Sequence, residues 1–127
     1  MSYYFTKTLS VSFDEAIEKV TETLKTEGFG IVTNFDVSNA FKNKLGIDYR
    51  PYRILGACNP PFAKRTLDVD DKIGVMLPCN VIVQQKEDEV EVSVIDPLSS
   101  SNAINNQEIT EILKEVQTKL KNVIDAL

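Results

Sequence analysis

The chain contains no histidine among its 127 residues. Histidine is the usual general base near neutral pH, the usual nitrogen ligand of zinc and haem iron, and the partner of serine or cysteine in nucleophile pairs. Its absence disfavours the common hydrolytic and metal-dependent reactions. We therefore predict no metal and no cofactor, and we favour a binding protein over an enzyme.

Basic residues are also scarce, because 14 lysines and arginines face 19 aspartates and glutamates, which gives a net charge of -5. A surface that neutralises phosphates or anionic headgroups needs an excess of positive charge. We therefore expect no nucleic-acid partner. The acidic turn formed by Asp68, Asp70 and Asp71 lacks the glycine and terminal glutamate of a calcium loop, so we interpret it as solvated charge.

Long hydrophobic runs and cysteine clusters are absent as well. The longest apolar run, Ile73 to Val83, is broken by Pro78 and Asn80, whereas a membrane-spanning helix needs about 20 apolar residues. The first residues lack the basic and apolar regions of a secretory signal. The two cysteines, Cys58 and Cys79, are too few for a disulfide-stapled secreted scaffold. We therefore expect a cytoplasmic protein with reduced cysteines and no membrane partner.

The length and composition fit one α+β domain over residues 1–127, because 43% of the residues are apolar, which is enough for one hydrophobic core. Hydrophobic periodicity and capping residues predict its elements. Strands are expected over Ser2 to Leu9, Phe29 to Asp36, Tyr49 to Ala57, Ile73 to Gln85 and Glu89 to Ile95. Helices are expected over Phe13 to Glu27, Ser38 to Leu45 and Pro60 to about Leu67, with a last helix after a surface loop at Pro97 to Asn106.

The order of these elements predicts a β-α-β opening, further antiparallel strands in one curved sheet, and a long C-terminal helix packed on one face. A ferredoxin-like fold shares the opening but fits the later run of strands less well. Lys86 to Asp88 predicts a hairpin, with Val90, Val92 and Val94 on the buried face of its second arm. Proline has no backbone N–H to donate to a neighbouring strand, so Pro51 in the third predicted strand indicates an edge strand or a β-bulge there.

One region has the character of a site, since Cys58 ends a strand and Asn59 and Pro60 begin a helix. Free N–H groups and the helix dipole at such a point favour a thiolate or a bound anion. Arg53, with Lys64 or Arg65, would add positive charge, and Cys58 is the candidate catalytic residue. In the alternative interpretation Cys58 fills space as a small hydrophobe and Asn59 only caps the helix.

The second cysteine stands in a similar Cys-Asn pair. Cys79 shares strand parity with Val81 and Val83, which predicts a place in the core. Asn80 has the opposite parity among apolar neighbours, so it orients a ligand or bonds the adjoining backbone. We predict that the ligand-binding residues are Cys58, Asn59, Cys79, Asn80 and Arg53.

The two segments Ile54 to Pro60 and Leu77 to Val83, each with a Cys-Asn pair, resemble the domain of unknown function 302 family (DUF302). Lys44 to Ile47 and Asp96-Pro97 also fit, so the resemblance spans nearly the whole chain. It implies a compact bacterial or archaeal domain that forms a homodimer, and it implies no catalytic residue. Where the family often has methionine after Asp96-Pro97, this chain has Leu98 and a serine run.

Three functions follow from these observations. The first is a homodimeric binding or regulatory module whose pocket near Cys58 and Asn80 holds a small metabolite or anion. The second is a cysteine-dependent redox protein or thiol enzyme, and the third is a protein–protein interaction subunit that uses a face containing Met76 and Ile82. A concave pocket beside the Cys-Asn pairs favours the first two, and a flat surface favours the third. A homodimer is expected because one face of the sheet would otherwise lack a cover.

Overall fold

A computed structural model describes residues 2–127 of the chain. Five strands form one sheet: β1 Tyr4–Leu9, β2 Gly30–Asp36, β3 Tyr52–Cys58, β4 Cys79–Lys86 and β5 Glu89–Ile95. Five helices accompany it: α1 Phe13–Thr26, α2 Val37–Leu45, α3 Pro60–Val69, α4 Ser101–Ile104 and α5 Gln107–Ala126. Two 3-10 turns, Asp71–Met76 and Pro97–Ser100, precede β4 and α4. Among residues 2–127, no helix combines the length and hydrophobicity needed to cross a bilayer.

All strand pairs are antiparallel, in the order β1-β5-β4-β3-β2. The predicted α+β class, the antiparallel sheet and the long C-terminal helix are confirmed. β1 and β2 lie at opposite edges, so the β-α-β opening does not form a neighbouring parallel pair. The helices α1 and α5 contact one another and cover the same face of the sheet.

The first helix forms where its sequence predicts it. The Ser12 side chain accepts a hydrogen bond from the Glu15 backbone N–H at 3.1 Å, which satisfies one free donor of the first turn. Ala16, Val20 and Leu24 then recur at helical spacing and are fully buried against the sheet. The helix ends at Thr26, two residues before Gly28, which adopts a positive φ of 87°.

The β4–β5 hairpin is also confirmed, with Glu87 at a positive φ of 51° in its turn. Val90, Val92 and Val94 are buried beneath the helices. Ser93, on the opposite face of β5, is also buried, with only 6% of its surface exposed. Its hydroxyl lies 2.9 Å from the Thr6 hydroxyl of β1, so a cross-strand hydrogen bond satisfies it.

Two predicted segments are wrong. The strand predicted from Ile73 begins only at Cys79, because residues 71–76 form a 3-10 turn that ends before a cis Leu77–Pro78 peptide. The loop predicted at Pro97 to Asn106 instead contains a 3-10 turn and the short helix α4. In both places an aspartate side chain accepts a backbone N–H two residues later and starts the turn: Asp70 from Lys72 and Asp96 from Leu98, each at 3.0 Å.

A smaller expectation also fails. Pro51 lies before β3 rather than in it, and β3 is an interior strand between β2 and β4. The sheet irregularity lies instead on β2, between Ile31 and Thr33. Met76 lies in the first 3-10 turn and Ile82 in β4, and the two line neighbouring hollows that both include Asn80.

The closing helix α5 packs one apolar stripe onto β1, β5 and α1. The Asn106 side chain caps it by accepting the Ile109 N–H at 3.0 Å. The buried residues of the stripe are Ile109, Ile112, Val116, Leu120, Val123 and Ile124. Leu113 belongs to the same stripe but is only partly buried, because it borders two cavities.

Truncation of this stripe gives a graded prediction. Leu113→Ala should lower the free energy of unfolding by about 2 kcal/mol, the low end of the range for leucine, because the side chain already borders empty space. Lys119→Ala should lower the free energy of unfolding by only a few tenths of a kcal/mol, since the Lys119 ammonium group lies 5.9 Å from the Phe62 ring on a mostly solvent-facing side of the helix. Urea denaturation of both variants measures the difference, and an equal loss would mean that Leu113 contributes no more to packing than the lysine.

Candidate functional site

Two adjacent cavities lie beside the point where β3 ends and β4 begins. The inner cavity, beside the core, has a volume of about 40 Å³, and the outer cleft has a volume of about 280 Å³. Both are lined by Thr66, Leu77, Pro78, Cys79 and Leu113. The two cavities therefore share a wall, and we treat them together as one candidate binding site.

Sheet register brings the two Cys-Asn pairs together at this site. Ala57 pairs with Cys79 and Gly56 pairs with Asn80, so Cys58 lies one residue from the register partner of Cys79. Both cysteines line the inner cavity. Cys79 also lines the outer cleft, together with Asn80. Residues far apart in sequence thus meet where both pairs were predicted to act.

The Cys79 side chain packs against the buried core, as its strand parity predicts. Burial raises the pKa of Cys79 from its ordinary value of 9.0 to about 11, and the negative charge of an ionised Cys58 adds to the rise. At neutral pH Cys79 therefore presents a neutral thiol to both cavities. Such a group is a weak hydrogen-bond donor rather than a nucleophile.

Asn59 occupies the N-cap position of α3, but its side chain makes no capping hydrogen bond, contrary to the prediction. Its Nδ2 group instead donates to the Glu27 carbonyl at 3.1 Å, at the end of α1. The residue is only 9% exposed. Asn59 therefore connects α3 to α1 and encloses one side of the inner cavity.

The start of α3 offers fewer anion-binding donors than its position suggested. Pro60 and Pro61 occupy the first two helical positions, and proline has no backbone N–H. The Ala63 N–H is already donated to the Asn59 carbonyl at 2.9 Å. A small anion at this helix end would therefore find little of the donor set that makes other helix N-termini anion sites.

The predicted basic residues lie away from the cavities. Arg53 is five residues before Cys58, about 16 Å along the strand at about 3.3 Å per residue. Its Nε lies 3.4 Å from the Asp36 carboxylate at the start of α2. On α3, Lys64 pairs with Asp68 and Arg65 pairs with Glu115. None of these side chains lines either cavity.

Sequence reasoning missed the walls of the outer cleft. One wall comes from the first 3-10 turn, through Ile73, Val75 and Met76. The opposite wall comes from the segment at 97–104, through Pro97, Ser100 and Ile104. The signal that could have located both walls is an aspartate before each segment, Asp70 and Asp96, since aspartate often starts a turn.

Asp96 also fixes the second wall to the closing helix. Its Oδ1 atom accepts hydrogen bonds from the Leu98 N–H and from Gln117 Nε2 of α5, both at 3.0 Å. Its backbone N–H donates to the Tyr3 carbonyl at 2.8 Å. One residue thus connects the segment before β1, the 97–104 segment and α5, which holds the cleft wall in place.

The polar groups of the two cavities are few and neutral. Thr66 donates its hydroxyl to the Ala63 carbonyl at 2.8 Å, and Ser100 donates its hydroxyl to the Pro97 carbonyl at 3.2 Å. Apart from the two thiols, no ionisable side chain of residues 2–127 lines either cavity. Nor do those residues contain a cluster of three or more histidine, cysteine or acidic side chains able to hold a metal ion.

The two asparagines of the Cys-Asn pairs differ in role, which a matched pair of substitutions tests. Asn59→Ala should cost about 1 to 2 kcal/mol of stability, because it leaves the Glu27 carbonyl without its donor. Asn80→Ala should change stability by less than about 0.5 kcal/mol, since this side chain is exposed. Thermal and urea unfolding of the two variants measure both effects. Equal losses would contradict the assignment.

Comparison with known proteins gives a family but no activity. The family described as "Domain of unknown function DUF302" matches residues 5–127. The chain belongs to the DUF302 family. A crystal structure of an uncharacterized conserved DUF302 protein from Bacillus stearothermophilus superposes with a TM-score of 0.91 at 30% sequence identity. The alignment covers 98% of each chain. No curated protein matches the chain.

Proposed function

We propose that this DUF302 chain is a binding module that holds a small molecule in the outer cleft and inner cavity. The observation that carries the proposal is the convergence of both Cys-Asn pairs on one concave site. A volume of about 280 Å³ is close to the lower limit of ordinary ligand pockets, roughly 300 Å³. The chain would act as one cytoplasmic module with reduced thiols.

Binding is favoured over catalysis by the chemistry of the lining. A general acid or base must lie within hydrogen-bonding reach of its substrate, and neither cavity is lined by a carboxylate, an amine or a histidine. The Cys79 thiol stays protonated because burial raises its pKa to about 11. The remaining polar groups, from Thr66, Asn80 and Ser100, suit recognition of a ligand.

The proposal is tested by screening small molecules against ¹⁵N-labelled protein. Fragments that bind are expected to shift the amide resonances of cleft residues such as Ile73, Cys79, Ile104 and Leu113. Native mass spectrometry of gently purified protein adds a search for a retained ligand. If fragments at millimolar concentration shift no resonances, or shift only resonances outside the cleft, the result argues against a binding function for this site.

We also propose that two copies pair through the sheet face opposite α1 and α5. In support, this face carries partly exposed apolar residues, with Phe35 51% and Tyr4 42% exposed beside the half-buried Ile54 and Ile82. Two-fold pairing of like faces is the commonest way to cover such a surface. Light scattering at micromolar concentration should give the dimer mass. Ile82→Asp should give a monomer, and Leu45→Asp, on α2, serves as its control.

A thiol redox role is the second candidate function, because both cysteines line the inner cavity. Under this alternative, oxidised glutathione would convert the pair to an intramolecular disulfide. Non-reducing peptide mapping would then recover Cys58 and Cys79 in one linked peptide. Separate glutathione adducts on the two cysteines would remove this candidate.

A further inference from the structure

We infer that the ligand of this site is a neutral, largely apolar molecule that lies in the outer cleft and places one hydrogen-bonding group near Asn80. This inference rests on the proposed binding function and names the chemical class of the ligand. Three features of the cavities lead to it: the absence of charge, the arrangement of their polar groups, and their size.

The first feature is the absence of charge. Neither cavity is lined by a lysine, arginine, aspartate or glutamate. The two prolines at the start of α3 remove backbone donors that could have bound an anion. Moving an ionised group from water into an apolar site without a partner is strongly unfavourable. The site therefore disfavours ligands whose carboxylate, phosphate or ammonium group would lie within the cleft.

The second feature is the placement of the polar groups. The amide of Asn59 is already engaged with the Glu27 carbonyl, and the hydroxyls of Thr66 and Ser100 are donated to the Ala63 and Pro97 carbonyls. Asn80 is exposed and lines both the outer cleft and a hollow on the open sheet face. A ligand with one polar group is thus oriented with that group toward Asn80.

The third feature is size. An inner cavity of about 40 Å³ accommodates little more than a methyl group or a water molecule. The outer cleft, at about 280 Å³, is larger than the apolar cavity of roughly 150 Å³ that accommodates benzene in an engineered protein. One substituted ring or a short branched chain fills this space. Larger ligands would project past Val75 and Met76 into solvent.

Four probes of nearly equal size test the class of ligand: toluene, benzyl alcohol, benzoate and benzylammonium. Each is titrated into ¹⁵N-labelled protein at neutral pH, and its Kd is read from the shifts of cleft amides. Benzyl alcohol is expected to bind at least tenfold more tightly than either ion. Benzyl alcohol should also bind more tightly than toluene, because its hydroxyl can hydrogen-bond to Asn80, and Asn80→Ala should remove this advantage and leave toluene binding unchanged.

Two further variants locate the binding. Leu113→Trp should fill the cleft and abolish binding of toluene and benzyl alcohol, whereas Phe35→Trp on the open sheet face should leave both unchanged. If Leu113→Trp fails to fold, Asn80→Ala still decides the orientation, because that side chain is exposed. Tighter binding of benzoate or benzylammonium would overturn the ligand class while the binding function stands. Binding of none of the four would overturn both.

Discussion

In the native protein at pH 8, alkylation of Cys79 is expected to be roughly a hundredfold slower than in denaturant. Thiolate is the reactive form, and burial raises the pKa of Cys79 from 9.0 to about 11. At pH 8 these values leave about one thiol in a thousand ionised in the folded state, against about one in ten in the unfolded chain. Steric protection by the packed core adds to the difference. Cys58 should be modified first.

A pH series with peptide mass readout measures both thiols separately. The rate at Cys79 should rise about tenfold per pH unit until the pH approaches its raised pKa. The Cys58→Ser variant separates the causes of that rise. Most of the protection should persist without Cys58, because burial is the larger cause and the neighbouring charge the smaller. A native Cys79 that reacts as fast as the denatured one would show that the thiol is not buried.

The elements predicted most accurately are those whose local signals agree with one another. In α1, a capping box, a helical apolar stripe and a following glycine all indicate the same boundaries. In the β4–β5 hairpin, alternating valines and a charged turn do the same. Each signal arises from residues within a few positions of one another, so no tertiary information is needed.

The segments predicted wrongly lack that agreement. Residues 73–78 are apolar enough for a buried strand, and periodicity alone does not distinguish a strand from a turn in a short apolar run. Residues 97–104 are polar and serine-rich, yet the carboxylate of Asp96 and its bond to Gln117 of α5 hold them in helical turns. That bond joins residues 21 positions apart. Composition does not reveal it.

Only part of the candidate site was predictable from the sequence. Strand parity placed Cys79 against the core, and the repeated Cys-Asn pairs marked two segments that the sheet then aligns. The opposing cleft walls come from the two misassigned segments, so the shape of the site was beyond sequence reasoning. Arg53 is the predicted site residue that does not line either cavity. Its distance from Cys58 along an extended strand, about 16 Å, was enough to separate it from the site.

Gly56 pairs with Asn80 across β3 and β4, and Gly56→Ala is expected to lower the free energy of unfolding by about 3 kcal/mol. A methyl group there would overlap the Thr33 hydroxyl oxygen of β2 and lie 2.6 Å from Cγ of Pro78. Contacts under 3.0 Å are essentially never seen for a Cβ atom. Thr33 can rotate, but the proline ring is rigid. The β3–β4 junction beside the cleft must therefore shift.

Gly30→Ala is the matched control, because Gly30 is also a strand glycine and its added methyl group would meet nothing within 4 Å. Neither glycine has a positive φ, so backbone strain does not distinguish the two variants. Urea denaturation should show a large loss for Gly56→Ala and a change within about 0.5 kcal/mol for Gly30→Ala. Adding Thr33→Ala to Gly56→Ala should recover only part of the loss, since the contact with Pro78 remains. Equal effects of the two glycine substitutions would mean that the junction tolerates a side chain, and full recovery by Thr33→Ala would mean that Pro78 is free to move.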